Sequence, residues 1–406
     1  MREKRGRRPL RGGVECALIL RMPTRRDFLA AVPPALLLAC GGAPEEAAEA
    51  PAETPAGKPY WVFFGPYTRE TSKGIYRSRF DAATGELSDA ELAAEMENPS
   101  FLTIHPNGKY LYAVAETNEG SVDSYALDGA TGALTKINTQ PTQGGSPCDL
   151  EVDHTGKMLV VANYGGGSTI AYQVGEDGSL SAPSDFHQHE GSSTTPRQKG
   201  PHAHSVDFSA DNRFVMVSDL GLDKVLVYEA DVAAGKLKQV GAAVLPPGSG
   251  PRHFAFHPSN KYAFSLGEIA STVTSFSYDA ATGGMTLIET ISTLPEDFDG
   301  KNTTAEIQVH PSGKFLYASN RGHHSLALIQ IDEATGKIER KANYPTLGET
   351  PRNFNIAPGG EYLLAANQDS DNVVVFQLDP ATGELKATGR QIAVSMPVCI
   401  VYHPAG

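Results

Sequence analysis

Four ionisable residues stand where a β-rich chain normally places apolar ones: His204, Arg252, Glu268 and Arg321. Together they could carry acyl chemistry. An imidazole can take a proton from water, guanidinium groups can hold a developing oxyanion or an acidic substrate group, and a carboxylate can orient either. Arg252 lies eight residues before Asn260 and Glu268 eight residues after it, within a stretch that reads as one hairpin, Gly250 to Glu268. Folding that hairpin brings both charges to its open end and predicts an ion pair. The same offset before other turns gives Ser100, Cys148, His204, Ala305, Arg352 and Val398. After them it gives Glu116, Tyr164, Leu220, Arg321 and Gln368. His253 and Glu306 fall one step further along. If the hairpins are ranged around a ring, these positions form two layers about one mouth. Charged groups at the ends of inner strands are unusual unless paired or functional. The plainer alternative is ion pairs that fasten neighbouring units together.

The elements that would position them follow from an internal repeat. The turn recurs as His105-Pro106-Asn107-Gly108, Asp153-His154-Thr155-Gly156, Ser209-Ala210-Asp211-Asn212, His257-Pro258-Ser259-Asn260, His310-Pro311-Ser312-Gly313, Pro358-Gly359-Gly360 and His403-Pro404-Ala405-Gly406. Steps between successive turn residues are 48, 56, 48, 53, 47 and 46. Gly or Asn in that place suits a turn that needs positive φ. A second turn of the same period ends at Gly85, Gly132, Gly178, Gly235, Gly283, Gly336 and Gly383. Apolar runs alternate between the turns, so each repeat predicts four antiparallel strands, the make-up of a propeller blade. The chain ends at Gly406, where the first hairpin of a blade should turn, and the missing strands begin at Trp61. An all-β, seven-bladed propeller is expected, closed by a C-terminal inner strand and three N-terminal outer strands, with no free sheet edge. It would occupy residues 59–406 as one domain.

The step of 56 marks an insertion. Residues 185–203 carry His187, His189, Arg197, Lys199 and His202 just before His204, and are expected to enter the mouth as a lid or substrate loop. Alternate histidines in His202-Ala203-His204 and His187-Gln188-His189 share a face, as metal ligands can, but no carboxylate or cysteine at a recognised spacing accompanies them, and neither a metal nor another cofactor is expected. The Gly165-Gly166-Gly167 turn offers backbone amides to an anion or is simply flexible. His323 and His324 are expected to be solvated. Cys148 and Cys399 are expected as free thiols near one rim.

Residues 1–39 read as a twin-arginine signal, Arg25-Arg26-Asp27-Phe28-Leu29 followed by an apolar run too short for a permanent span. The run ends Leu37-Leu38-Ala39-Cys40, so Cys40 is the expected lipidation site. Residues 40–58, rich in Ala, Glu and Pro, would be a flexible tether. The expected product is exported, monomeric and held to the membrane by lipid alone. Formal net charge is −13, and residues 1–39 hold nine Lys or Arg against three Asp or Glu, leaving −19 on the remainder. So acidic a domain makes nucleic acid an unfavourable partner.

With those residues in view, the sequence resembles the seven-bladed propeller lactonases, which include bacterial 6-phosphogluconolactonases and fungal muconate cycloisomerases. The resemblance rests on Ala162-Asn163-Tyr164-Gly165-Gly166-Gly167-Ser168, Gly200-Pro201-His202-Ala203-His204, Gly250-Pro251-Arg252-His253, Ser319-Asn320-Arg321-Gly322, Thr350-Pro351-Arg352-Asn353-Phe354 and Ala366-Asn367-Gln368-Asp369. It implies catalytic roles for His204, Arg252, Glu268 and Arg321. The expected substrate-binding set is Asn163, Tyr164, His202, His253, Glu306, Asn320, Arg352, Asn367 and Gln368. The expected activity is hydrolysis of a sugar-acid lactone. The alternatives are a muconate-type cycloisomerase and a non-catalytic exported binding propeller.

Overall fold

A computed structural model describes residues 59–406. The signal, Cys40 and the tether lie outside the described residues. Four-stranded antiparallel sheets repeat around a ring, and each blade starts with an inner strand beside the central bore. The inner strands of blades one to six are Leu102–Ile104, Pro147–Val152, Ala203–Phe208, Pro251–Phe256, Thr304–Val309 and Pro351–Ile356. Blade seven takes its inner strand, Pro397–Pro404, from the end of the chain and pairs it with Pro59–Pro66, Tyr60 opposite Pro404 and Gly65 opposite Cys399. The expected sevenfold closure is therefore the observed one. The outer strand of this blade is broken into Glu86–Leu87 and Glu91–Glu95, both paired with Gly74–Asp81.

Turn chemistry fixes the register. Gly108, Gly156, Asn212, Asn260, Gly313 and Gly360 all have positive φ, between 58° and 78°. Glycine is needed twice over at Gly156: a Cβ there would lie 2.2 Å from the His105 ring, whose Nε2 bonds the Gly156 carbonyl at 2.9 Å. His257 meets Gly313 O at 2.8 Å and His310 meets Gly360 O at 3.1 Å in the same way. Three of the His-Pro histidines thus clip a turn of the next blade.

The core is not a single mass. Seven apolar clusters lie between neighbouring blades, one at each interface. Met158, Val160 and Ala162 of blade two, for example, pack on Val206, Phe208 and Val215 of blade three. Second strands such as Met158–Asn163 and Phe214–Asp219 are buried along their whole length, because both faces of the sheet are covered.

Candidate active site

At one end of the bore the inner strands do not pair evenly. The register slips at this end in six of the seven blades, between Pro147 and Asp149, Ala203 and Ser205, Pro251 and Phe254, Thr304 and Ile307, Pro351 and Asn353, and Pro397 and Cys399. The residues left over in these bulges include Cys148, His204, Arg252 and Arg352. A β-bulge leaves a residue unpaired and turns its side chain away from the pleat. The second layer is set by one backbone bond repeated seven times: Tyr67 N to Met396 O, Glu116 N to Asn98 O, Tyr164 N to Ser146 O, Leu220 N to His202 O, Glu268 N to Gly250 O, Arg321 N to Thr303 O and Gln368 N to Thr350 O.

These two layers line a mouth cavity of about 290 Å³ that gathers His204, Arg252, Glu268 and Arg321 with Tyr67, Arg69, Glu116, Cys148, Tyr164, Arg197, Arg352 and Gln368. Larger grooves, up to about 840 Å³, run between blades away from this mouth, but they lack its convergent charges. Glu268 is the hub. Its Oε2 accepts from Arg252 Nη1 at 3.1 Å and Arg321 Nη2 at 3.0 Å, and its Oε1 meets Arg197 Nη1 at 2.6 Å. Burial alone would raise the pKa of this carboxyl. The Arg321, Arg252 and Arg197 guanidiniums outweigh burial and hold it well below the usual carboxylate range, so Glu268 is a fixed anion.

His204 is buried, and its Nε2 accepts from Arg252 Nη1. Burial first, then the Arg252 charge, pushes its pKa well below the ordinary histidine value, and the ring is neutral at pH 7. Arg252 Nε is anchored on Ala305 O at 2.8 Å and Arg321 Nη2 on Thr304 O at 2.9 Å. Across the mouth, Arg352 Nη2 donates to Tyr67 OH at 2.9 Å, and that hydroxyl donates to Glu116 at 2.9 Å. Burial lifts the Tyr67 phenol to about 12.

Of the expected binding residues, Tyr164, Arg352 and Gln368 line the mouth. His202 stacks on Tyr164 with ring centroids 4.6 Å apart and bonds its carbonyl at 2.9 Å. The other five lie elsewhere. Asn163, Asn320 and Asn367 are fully buried braces, whose amides donate to Thr142 O, Thr293 O and Thr346 O and tie the inter-strand turns together. His253 and Glu306 face a separate bore cavity of about 200 Å³, where His253 Nδ1 meets Glu306 Oε2 at 3.1 Å. The bulge turns Arg252 into the mouth and leaves its neighbour facing the bore. That cavity also holds Asp149, Glu151 and Asp207, all raised in pKa by burial, Glu151 to about 8.

The insertion is shorter than expected. Asp185–Gln188 forms the outer strand of blade two. His187 pairs with Asp185, and His189 is buried on Asp219 and Thr169 rather than entering the mouth. Arg197 is the residue of this segment that reaches Glu268. Among the described residues no group of three His, Cys, Asp or Glu side chains could hold a metal ion. In the Gly165-Gly166-Gly167 turn, Gly166 N is bonded to Gly145 O at 3.0 Å and so is not offered to an anion. Nor are the paired histidines merely solvated: His323 packs on Phe298 and His324 Nδ1 accepts from Thr350 N. Cys148 and Cys399 are both free and buried.

Tyr67 and Arg69 are not among the expected site residues, and Arg197 is expected at the mouth only as part of the inserted segment. Tyr67 occupies the seventh position of the second layer, and a count carried through the closing blade would have reached it. Arg197 sits on the one-turn helix Pro196–Gln198, where no strand offset applies.

The family described as "Lactonase, 7-bladed beta-propeller" matches residues 61–402. A 6-phosphogluconolactonase of Bacillus subtilis is 34% identical over 296 residues, 73% of this chain and 84% of that protein. A second, from Formosa agariphila, is 35% identical over 308 residues, 73% of this chain and 86% of that one. Among solved structures, a periplasmic gluconolactonase of Pseudomonas aeruginosa superposes with a TM-score of 0.82 at 32% identity, covering 86% of this chain and all of that one.

Proposed function

The chain belongs to the seven-bladed β-propeller lactonase family, and from that premise we propose that it opens a sugar-acid lactone at the mouth cavity by attack of water. The observation that carries this reading is the meeting of a neutral His204 with Arg252 and Arg321 on one fixed carboxylate, Glu268. Among the described residues neither Arg252 Nη2 nor Arg321 Nη1 has a hydrogen-bond partner, so both have donors to offer a carbonyl oxygen. The lactone carbonyl settles against these guanidiniums, and Arg252 turns from His204 toward it. Nε2 of His204 is then open to a water. The water oxygen bonds to the carbonyl carbon while its proton passes to Nε2. The arginines hold the tetrahedral oxyanion. As the ring C–O bond breaks, the proton on His204 passes to the leaving alkoxide, giving the hydroxy acid. Glu268 exchanges no proton in this scheme. It keeps two guanidiniums aimed at one point, which is the pre-organisation such stabilisation needs.

Purified protein should open gluconolactone or its 6-phosphate. His204→Ala should lower kcat about 10²- to 10⁴-fold, the usual worth of a positioned base. Arg252→Ala should lower it about 10²- to 10³-fold, as loss of an oxyanion donor does. Wild-type rates in both variants would overturn the assignment, and muconate turnover without lactone opening would favour the cycloisomerase. We also propose export with a lipid anchor at Cys40, supported by the leader sequence and by a periplasmic relative. Labelling with a radioactive fatty acid, lost in Cys40→Ala, tests it.

A further inference from the structure

His204 has two ring nitrogens, and the structure fixes what each must carry. Nε2 faces Arg252 Nη1. A guanidinium has five N–H donors and no acceptor, so Nε2 must present a lone pair. The neutral ring therefore carries its proton on Nδ1. Among the described residues the one hydrogen-bond partner of Nδ1 is Cys148 Sγ, at 3.4 Å. From this we infer that Cys148 is a positioning residue, whose sulfur accepts the Nδ1–H of His204 and so keeps the Nε2 lone pair turned to the mouth. The inference rests on the lactonase reading only for its kinetic consequence.

The hydrogen-bond accounting closes on both sides. The thiol proton has an acceptor of its own, the His204 carbonyl at 3.5 Å, with Ala203 O at 3.8 Å and Ala162 O at 3.9 Å further off. One sulfur can thus take the ring N–H and donate to the backbone of the same residue, clamping His204 at ring and main chain together. The placement is a product of the fold. Cys148 and His204 are the bulged residues of adjacent inner strands, between Pro147 and Asp149 and between Ala203 and Ser205. Burial keeps the thiol protonated and unreactive, so it is neither nucleophile nor base here. A base oriented through its far nitrogen is a familiar arrangement, in which that partner fixes the tautomer. A thiol differs from a carboxylate in that place. It is a weak, uncharged acceptor, so it fixes direction without stabilising the imidazolium, and His204 keeps its depressed basicity.

The tautomer can be read without turnover. In nitrogen-15 spectra of the full protein at pH 7, two- and three-bond couplings should show His204 protonated on Nδ1, its signals assigned by their loss in His204→Gln. Cys148→Ala leaves the Nδ1–H without an acceptor, so it should broaden or split the His204 ring signals as the imidazole loosens and give a kcat about tenfold lower at unchanged KM. Cys148→Ser, with a hydroxyl able to accept the same proton, should restore most of both. A wild-type His204 protonated on Nε2 overturns the inference, as does Cys148→Ala with wild-type ring signals and kcat. Should the alanine variant fail to fold, Cys148→Val decides instead: it fills the space without an acceptor, and wild-type ring signals and kcat in it would equally overturn the inference. Absence of any lactone turnover by the wild type would remove the proposed function but leave the tautomer test intact.

Discussion

At the scale of single residues the site is a division of labour between two neighbours of one carboxylate. Arg252 holds a donor toward both His204 and Glu268, so removing Glu268 frees a buried guanidinium rather than merely deleting an anion. Glu268→Gln is expected to lower kcat at least tenfold while leaving binding of product acid intact or tighter, measured by initial rates and product inhibition. Burial and Arg252 keep His204 neutral to a pH below the ordinary value of about 6.5. A base must be unprotonated to act, so the acid limb of kcat/KM is expected below the ordinary histidine value, with a flat profile through neutral pH. A limb at pH 7 would mean that substrate-free His204 is not the titrating base. The four ionisable residues were legible in the sequence because such groups at the ends of apolar strands are unusual unless paired or functional, and here they are paired at one mouth. Asn163, Asn320 and Asn367 misled for a physical reason: an asparagine that braces a turn and one that binds a hydroxylated ligand look the same in sequence, and only burial distinguishes them. His253 and Glu306 went astray because a bulge turns adjacent residues to different cavities, and no spacing rule contains the bulge.

At the scale of elements, strand ends position the central charges and the segment 193–202 adds Arg197 from outside the strands. The segment is tied down at its base by Gln198 Nε2 to Asp223 Oδ1 at 2.7 Å and to Leu220 O at 2.9 Å. Arg197 projects from it with its side chain 44% exposed. Arg197→Ala is expected to raise KM about tenfold with kcat within threefold. Because Arg197 is half in solvent and Glu268 keeps Arg252 and Arg321, stability should change by under about 0.5 kcal/mol, read by thermal melting. Gly250 serves the opposite purpose. Its φ is +63°, its N–H donates to Asp223 Oδ1 at 2.7 Å, and a Cβ there would lie 2.7 Å from the Ile269 side chain. Gly250→Ala should cost about 1–3 kcal/mol in urea unfolding, the usual price of a strained left-handed residue. The hairpins and their glycine turns were legible because φ > 0 is a demand few residues meet. The insertion was not, since outer strand Asp185–Gln188 is short and polar and reads as loop.

At the scale of the whole molecule, the bore holds carboxyl groups that keep their protons. Glu151 is expected to keep its proton in the folded state up to about pH 8, against an ordinary value of 4.5. Between those values the native state binds more protons than the unfolded chain, so stability falls as pH rises. Asp149 and Asp207 act in the same direction. His204 and His253, lowered by burial, oppose this below the ordinary histidine value and are silent above it. From pH 6.5 to 8 the melting temperature should therefore drop, and Glu151→Gln should shrink the drop. A Glu151→Gln profile parallel to wild type would show that this carboxyl is ionised throughout. Ring closure was legible because the two ends of the chain complete each other's blade. It also sets a schedule. Tyr60 is among the first described residues to leave the ribosome and its partner Pro404 among the last. At about 5–20 residues per second the nascent strand waits roughly twenty seconds to a minute for its neighbour. Any factor that shields Trp61, Phe63 and the strand around them during that interval acts on yield without touching the finished enzyme.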